Sequence, residues 1–482
     1  MSQLRACNSF RAVIESRAEP SRAAPCNLQR LSFLHQPQQP LVSQPVDSLE
    51  GELRVPGDKS VSHRALMLSA LAVGPAVVSN LLESEDVHRT AAALRALGVP
   101  IARNDDGTWR IDGVGVGGLA EPDDVLDLGN SGTSTRLLLG ILAGHVLTVF
   151  MTGDASLRKR PMARVVDPLT RMGAQFVARS RARLPLAVTG ATSPMPLSYR
   201  LPVPSAQVKS AILLAGLSAP GRTTVIEPEV TRDHTERMLR LLGATVTVEA
   251  EEDGARAITV EGQPELSARD LDVPGDPSSA AFPAVAAAIL PGSHLVMRRV
   301  GANASRLGLF TTLREMGADI RISGEREVSG EPVMDIEVHG GRLQGIEVPP
   351  ERAPLTIDEY PILAVAAATA SGTTVMRGLA ELRVKESDRL AAIETGLAAC
   401  GVTVSSGPDW LEVTGCGGRA PGGGLIAANL DHRIAMAFLV LGMAADAAVT
   451  VDDAASIATS FPDFVATMNA VGGRLGLTES VP

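Results

Sequence analysis

Aromatic side chains make up only 3% of this 482-residue chain, with two Trp, two Tyr and nine Phe. Large rings therefore cannot fill the interior. Glycine (46) and proline (32) are plentiful, so helices are expected to pack closely on small residues. Cysteine is also sparse. Cys7, Cys26, Cys400 and Cys416 show no C-x-x-C spacing, which argues against both a zinc ligand set and a disulfide framework and suits a reducing compartment, the cytoplasm. Positive charge is not in excess. The formal net charge of −10 excludes a general nucleic-acid binder, so any anion site must be a local concentration of Lys and Arg. Gly, Asp or Arg interrupts every apolar run before it reaches the length of a membrane span. No Walker A loop, dinucleotide fingerprint or G-x-S-x-G elbow is present.

At this length two or three domains are expected. Residues 1–45 are dominated by Gln, Pro, Ser and Arg without apolar periodicity and read as a disordered tail. It is Arg- and Ser-rich enough to allow an organelle transit peptide, although a non-functional extension is the simpler reading. From Leu53 onward the chain repeats. Each unit holds a polar loop, an apolar helix, a small-residue stop, a β-rich run, an amphipathic helix ending in Gly, and two short strands. The stops fall at Gly74, Gly144, Gly221, Gly292, Gly372 and Asp446, about 70–80 residues apart. The second helices are expected to end at Gly98, Gly173, Gly243, Gly317, Gly401 and Gly472, where Gly is the usual helix terminator. The first helices are apolar nearly all round and should be buried, while the second should lie nearer solvent. The expected fold is thus α/β: six βαβαββ units in two lobes of three, with 58–273 as the first lobe and 46–57 plus 274–480 as the second.

The loops before the buried helices carry the chemistry. Val55–Arg64 reads V-P-G-D-K-S-V-S-H-R, a turn, helix-capping residues and two cations at a helix start, the end that attracts anions. The other five starts hold Gly129–Arg136, Ser205–Lys209, Gly275–Ser279, Asp358–Tyr360 and Asp431–Arg433. Further basic stretches lie at Arg158–Arg160, Thr231–His234 and Arg383–Arg389. Arg forks suit carboxylate and phosphate. So many cations with few carboxylates imply a highly anionic ligand set, with Asp358 and Glu386 placed to act as general bases, or as acids once protonated. His63 and His432 read as structural hydrogen-bonders. Lys209 reads equally as an anion ligand or a structural pair, Arg136 mainly as a brace for its loop, and Asp276 as a helix cap.

The motifs P-G-D-K-S-V-S-H-R, L-G-N-S-G-T-S-T-R, K-R-P-M, S-A-Q-V-K-S-A, R-V-K-E-S-D-R and L-D-H-R-I-A-M occur in the order found in the 5-enolpyruvylshikimate-3-phosphate synthases, and from about Leu53 to Gly473 the chain resembles that family. P-G-D-P-S-S and I-D-E-Y-P-I-L-A-V-A-A-A resemble its glyphosate-tolerant bacterial class. The resemblance implies the same two-lobed fold, with the active site in the interlobe cleft. It implies enolpyruvyl transfer from phosphoenolpyruvate to the 5-hydroxyl of shikimate 3-phosphate, through a tetrahedral intermediate and without metal or organic cofactor. Lys59, Ser60, Arg64, Ser205, Ala206, Gln207, Arg232, Asp358 and Lys385 would hold shikimate 3-phosphate. Lys59, Gly132, Arg160, Gln207, Arg389 and Arg433 would hold phosphoenolpyruvate. Asp358 would take the hydroxyl proton, Glu386 would deliver and remove a proton at the methylene carbon, and Lys59 would join them in catalysis.

Two positions depart from the family pattern. Thr459 stands where many relatives carry Lys, and Gly132 where the tolerant relatives carry Ala. The second departure implies a glyphosate-sensitive enzyme. A monomer with small-molecule partners and neither nucleic acid nor membrane is expected. The nearest alternative is the enolpyruvyl transferase acting on UDP-N-acetylglucosamine. It uses a loop Cys, and Gly153–Arg158 has none. A non-catalytic anion- or RNA-end-binding protein of the same fold is the alternative from another class.

Overall fold

Six stretches of Ala, Leu, Ile and Val form the expected helices in the computed structural model, which describes residues 39–477. They are Lys59–Leu71, Gly132–Ala143, Ala206–Gly216, Pro277–Ile289, Tyr360–Thr369 and His432–Met443. Every residue of Pro277–Ile289 and of Tyr360–Thr369 is buried. Helices apolar on all sides must be enclosed on all sides. The second helices, such as Glu85–Ala96 and His234–Leu241, bury only part of their residues. All six terminators from Gly98 to Gly472 have positive φ, the left-handed conformation that lets glycine end a helix. Gly74, Gly372 and Asp446 behave differently from expectation. They lie inside the strands Val73–Ser79, Ser371–Arg377 and Ala445–Ala447, because their helices end at Leu71, Thr369 and Met443.

Each unit contributes one four-stranded sheet, and all six share one strand order. In unit two, Leu126–Asp127 runs parallel to Thr148–Thr152, which pairs antiparallel with Arg183–Thr189, which pairs antiparallel with Gln175–Arg179. Three units borrow a strand from far away. The edge strand of unit one is Leu271–Asp272, from the end of unit three, and that of unit four is Glu50–Leu53. Leu41–Ser43 sits between Val449–Val451 and Leu475–Leu477 as a central strand of the sixth sheet. The expected tail is therefore corrected. Residues 1–38 lie outside the described residues, but the chain from Leu41 is built into a sheet, with Val42 and Ser43 buried. Its polar flank, Gln36–Pro40, masks a strand only three residues long.

Two separate hydrophobic cores result. One is drawn from Val61 to Val273, and the other from Val46–Val55 together with Ala280–Leu475. The connections between them are the identical V-P-G-D segments Val55–Asp58 and Val273–Asp276. They run antiparallel, with Asp58 N donating to Pro274 O (2.8 Å) and Asp276 N to Pro56 O (2.9 Å). Gly57 is required here, since a Cβ would lie 2.0 Å from the Asn80 carbonyl oxygen.

Asp58 and Asp276 cap the unit-one and unit-four helices. Both are buried, and both pair with Arg306, at 2.9 Å each. Burial by itself would lower the Arg306 pKa, but Asp58 and Asp276 outweigh it and raise the pKa. Removing one partner from a buried ion pair typically costs about 3–5 kcal/mol, because the remaining charge is stranded. Arg306→Leu is expected to lose about that much in urea unfolding. An unchanged midpoint would show that the two caps do not depend on it.

Candidate active site

The loops that precede the buried helices face one another between the two cores. From the first core, the unit-one helix presents Lys59. Its Nζ lies 2.6 Å from Asp86 Oδ2 and donates to the Thr459 carbonyl at 3.4 Å. The Leu157–Lys159 turn presents Arg160, whose Nη2 donates to Asn130 Oδ1 at 2.7 Å and whose Nη1 lies 3.7 Å from Glu386 Oε1. Its neighbours Arg158 and Lys159 are exposed, and Arg158 Nε donates to the Asp154 carbonyl at 3.3 Å. Arg232 reaches across to Asp358 Oδ2 at 2.5 Å.

The second core supplies both candidate acid–base groups. Asp358 precedes the unit-five helix. Besides Arg232, its Oδ1 faces Arg389 Nη1 at 3.4 Å and Lys385 Nζ at 3.5 Å, and its carbonyl accepts from Arg433 Nη1 at 2.9 Å. Glu386 accepts from Arg389 Nη2 at 2.6 Å. Arg389 is almost fully buried, and its Nε is anchored 2.8 Å from Asp431 Oδ2. Burial alone would raise both carboxyls. For Asp358, Lys385, Arg433, Arg232 and Arg389 overcome it, and for Glu386, Arg389 and Arg160 lead. Each is held well below the ordinary carboxylate range.

Ser60, Ser205, Ala206 and Gln207 are all half-buried at helix starts. Ser205 caps its helix. Gln207 is fixed by accepting from Arg136 at 2.7 Å and donating to Thr133 Oγ1 at 3.0 Å. Arg136 thus does more than brace its own loop, because it ties the unit-two and unit-three helix starts together. Gly132 is buried between two guanidinium groups. A Cβ there would lie 2.9 Å from Arg136 Nη1 and 3.2 Å from Arg160 Nη1. Arg64 is nearly fully buried, as Arg389 is. It donates to Thr235 Oγ1 (2.7 Å), Ser210 Oγ (2.9 Å) and the Ser60 carbonyl (2.9 Å), and burial lowers its pKa to about 10. Lys209 is a structural pair, wholly buried between Glu227 (2.9 Å) and Glu236 (2.7 Å).

Three carboxylates at the site were not singled out as site residues from sequence. Asp431 and Glu359 lay in quoted motifs, and Glu359 faces Arg433 at 3.5 Å. Asp86 is in the amphipathic helix Glu85–Ala96, where nothing in the local pattern marks it. Among the described residues no helix is long and apolar enough to cross a membrane.

A solved structure of the enolpyruvyl transferase NikO from Streptomyces tendae matches 92% of this chain and 99% of its own with a TM-score of 0.71 at 20% identity. That likeness fixes the class of fold, the two-lobed architecture of repeated α/β units. More specific matches follow. The family model for EPSP synthase (3-phosphoshikimate 1-carboxyvinyltransferase) matches residues 43–468. Curated 3-phosphoshikimate 1-carboxyvinyltransferases from Paramagnetospirillum magneticum and Rhodospirillum rubrum are 62% and 60% identical, covering 90% and 92% of this chain and 98% and 99% of theirs. An EPSP synthase structure from Acinetobacter baumannii aligns over 91% of this chain and 100% of its own, with 43% identity and a TM-score of 0.81. The chain belongs to the EPSP synthase family.

His63 and His432 are buried and bonded as structural residues. His63 Nδ1 lies 2.8 Å from Thr90 Oγ1, and His432 Nδ1 lies 3.3 Å from Thr459 Oγ1. Burial, then Lys59, then a neighbouring arginine hold both below the ordinary value, His432 at about 3. Between that value and the unfolded pKa near 6.5, the unfolded chain binds the extra protons, so stability falls as pH drops. Urea unfolding should lose up to about 1.4 kcal/mol per pH unit for each such histidine below pH 6.5. Stability that stays flat between pH 6.5 and 5 would contradict their neutral burial.

Proposed function

We propose that this chain transfers the enolpyruvyl group of phosphoenolpyruvate to the 5-hydroxyl of shikimate 3-phosphate, releasing phosphate. The observation that carries this reading is the pair Asp358 and Glu386, ringed by cations from both cores. Two polyanionic substrates repel each other in water. A cationic cleft holds them together and stabilises the charge that develops. Lys59, Ser60, Arg64, Ser205, Ala206, Gln207, Arg232 and Lys385 would bind shikimate 3-phosphate. Lys59, Gly132, Gln207, Arg160, Arg389 and Arg433 would bind phosphoenolpyruvate. The ammonium beside Thr459 is that of Lys59, which would supply the charge that relatives place on a Lys at that position.

Asp358 would take the 5-hydroxyl proton as the oxygen bonds to C2 of phosphoenolpyruvate. Glu386 would place a proton on C3 to give the tetrahedral intermediate, then remove one from C3 as phosphate leaves C2. Both groups need pKa values nearer neutrality than the cations now allow. Bound phosphates and carboxylates would share those cations and raise both pKa values, so the substrates tune the acid–base pair. The lobes, 58–273 and 46–57 with 274–480, would close over the pair and exclude water. We read the protein as a cytoplasmic monomer.

Asp358→Asn and Glu386→Gln should each lower kcat by about 10²–10⁴ in a phosphate-release assay with shikimate 3-phosphate. UDP-N-acetylglucosamine in its place should give no turnover. Near-normal rates in both variants would remove the assigned roles, and turnover of the nucleotide sugar would favour the other enolpyruvyl transferase.

Glyphosate should compete with phosphoenolpyruvate, because Gly132 has no Cβ to crowd the Arg136 and Arg160 guanidinium groups. Crowding by one methyl group costs about 1–3 kcal/mol. Gly132→Ala should therefore raise the inhibition constant by roughly 10–100-fold. A wild-type enzyme inhibited only near the solubility limit of glyphosate would contradict this.

A further inference from the structure

The solvent face of the unit-four sheet carries a second cluster that the transfer reaction does not use. His294 opens the strand His294–Gly301 and His339 closes the strand Glu331–His339. The two are directly opposite in the antiparallel register. Their rings stack in near-parallel planes, 8° apart with centroids at 4.6 Å. Glu337, two residues before His339, projects from the same face. Its Oε1 lies 2.8 Å from His294 Nε2 and 3.2 Å from His339 Nε2. Thus both imidazoles aim the same nitrogen at one carboxylate oxygen, and the donor atoms of all three residues lie within 4.8 Å of one another.

We propose that His294, Glu337 and His339 form a surface site for a divalent transition cation of the zinc class, bound by the two Nε2 atoms and a Glu337 oxygen. Two imidazoles and one carboxylate suit zinc or its neighbours rather than magnesium or calcium, which prefer all-oxygen sets. Zinc bonds of about 2.0–2.2 Å need donors roughly 3–3.5 Å apart, a set that side-chain shifts of about 1 Å would reach from here. Each ring would carry its proton on Nδ1, leaving the Nε2 lone pair for the metal, and water would complete a tetrahedron. The same cross-strand row continues to Glu50 on one side and Asp319 on the other. Asp319 is paired with Arg321 at 3.0 Å, while Glu50 is exposed and adds negative potential.

The site is remote from the transfer cleft. His294 follows the far end of the helix Pro277–Ile289, whose start meets Arg306, and 13 helical residues span about 20 Å. A metal there would clip together the two central strands of the unit-four sheet, His294–Gly301 and Glu331–His339. Sequence spacing shows only Glu337-x-His339, because the third ligand sits 45 residues away and joins through strand register.

The test is calorimetric titration of the untagged full-length protein with ZnCl2 in a non-chelating buffer, and with CoCl2 followed by visible absorption. Wild type is expected to bind one equivalent of zinc and to give the intense cobalt bands of a four-coordinate site. His294→Gln and His339→Gln should each weaken binding at least tenfold, and Glu337→Gln less. Cys416→Ser should leave binding unchanged, which separates this site from the exposed thiol. Unfolding midpoints measured in EDTA verify that the variants are folded, and zinc should raise the midpoint of wild type and Cys416→Ser but not of the His294→Gln/His339→Gln double variant. Equal zinc affinity in wild type and the His294→Gln/His339→Gln double variant, or loss of binding in Cys416→Ser, would overturn the proposal.

Discussion

Asp358 is one carboxylate held by four cations, Arg232 from one core and Lys385, Arg389 and Arg433 from the other. Two unit charges 4 Å apart interact by about 4 kcal/mol at an effective dielectric constant of ~20. The cations around Asp358 therefore repel one another on the same scale as they attract it. Such a cluster persists only where rigid elements force it together. Here Asp358 and Arg433 are set at the starts of buried helices, while Arg232, Lys385 and Arg389 come from the segments that open the second helices His234–Leu241 and Arg389–Ala399. Carboxylates relieve part of the strain: Asp86 at Lys59, Glu359 at Arg433 and Asp431 at Arg389. Substrate anions would relieve more of it, which is why the same charges can both bind and activate.

The repeat explains how widely separated residues come to share one cleft. A buried helix entered through a polar loop recurs six times, so six loops of similar shape are delivered by one construction rule. The two halves are joined by a pair of matching V-P-G-D segments, and a single buried guanidinium, Arg306, serves the caps of both helices that leave the joint. The joint and the cleft differ in their balance of charge, although Glu359 and Asp358 also raise the Arg306 pKa. At the joint, internal acids occupy the helix starts and one arginine neutralises them. At the cleft, cations from both cores converge on Asp358 and Glu386.

Most of this architecture was legible in the amino-acid order, for identifiable reasons. Glycine terminators mark the second helices because only a left-handed residue ends them there, and all six positions hold. The apolar helices announce their burial by lacking any polar face. What the order concealed was long-range. Leu41–Ser43 is too short to signal a strand, yet it completes the sixth sheet. Gly74 and Gly372 look like helix stops but belong to strands. Asp86 sits on an ordinary amphipathic helix and becomes a site residue only through its contact with Lys59. Arg306 and the cross-strand His294–His339 pair owe their partners to tertiary register, which no local window contains. Of the residues named from family motifs, Arg160, Arg232, Asp358, Lys385, Glu386, Arg389 and Arg433 touch one another, and Lys209 is committed to structure.

A crystal structure with shikimate 3-phosphate and phosphoenolpyruvate, or glyphosate in its place, is the most direct measurement of whether one cleft unites these charges. The account predicts the 5-hydroxyl within hydrogen-bond reach of Asp358 and the second anion gripped by Arg160, Arg389 and Arg433. Ligands bound away from Asp358, or an Asp358 still enclosed by all four cations with substrate elsewhere, would contradict it.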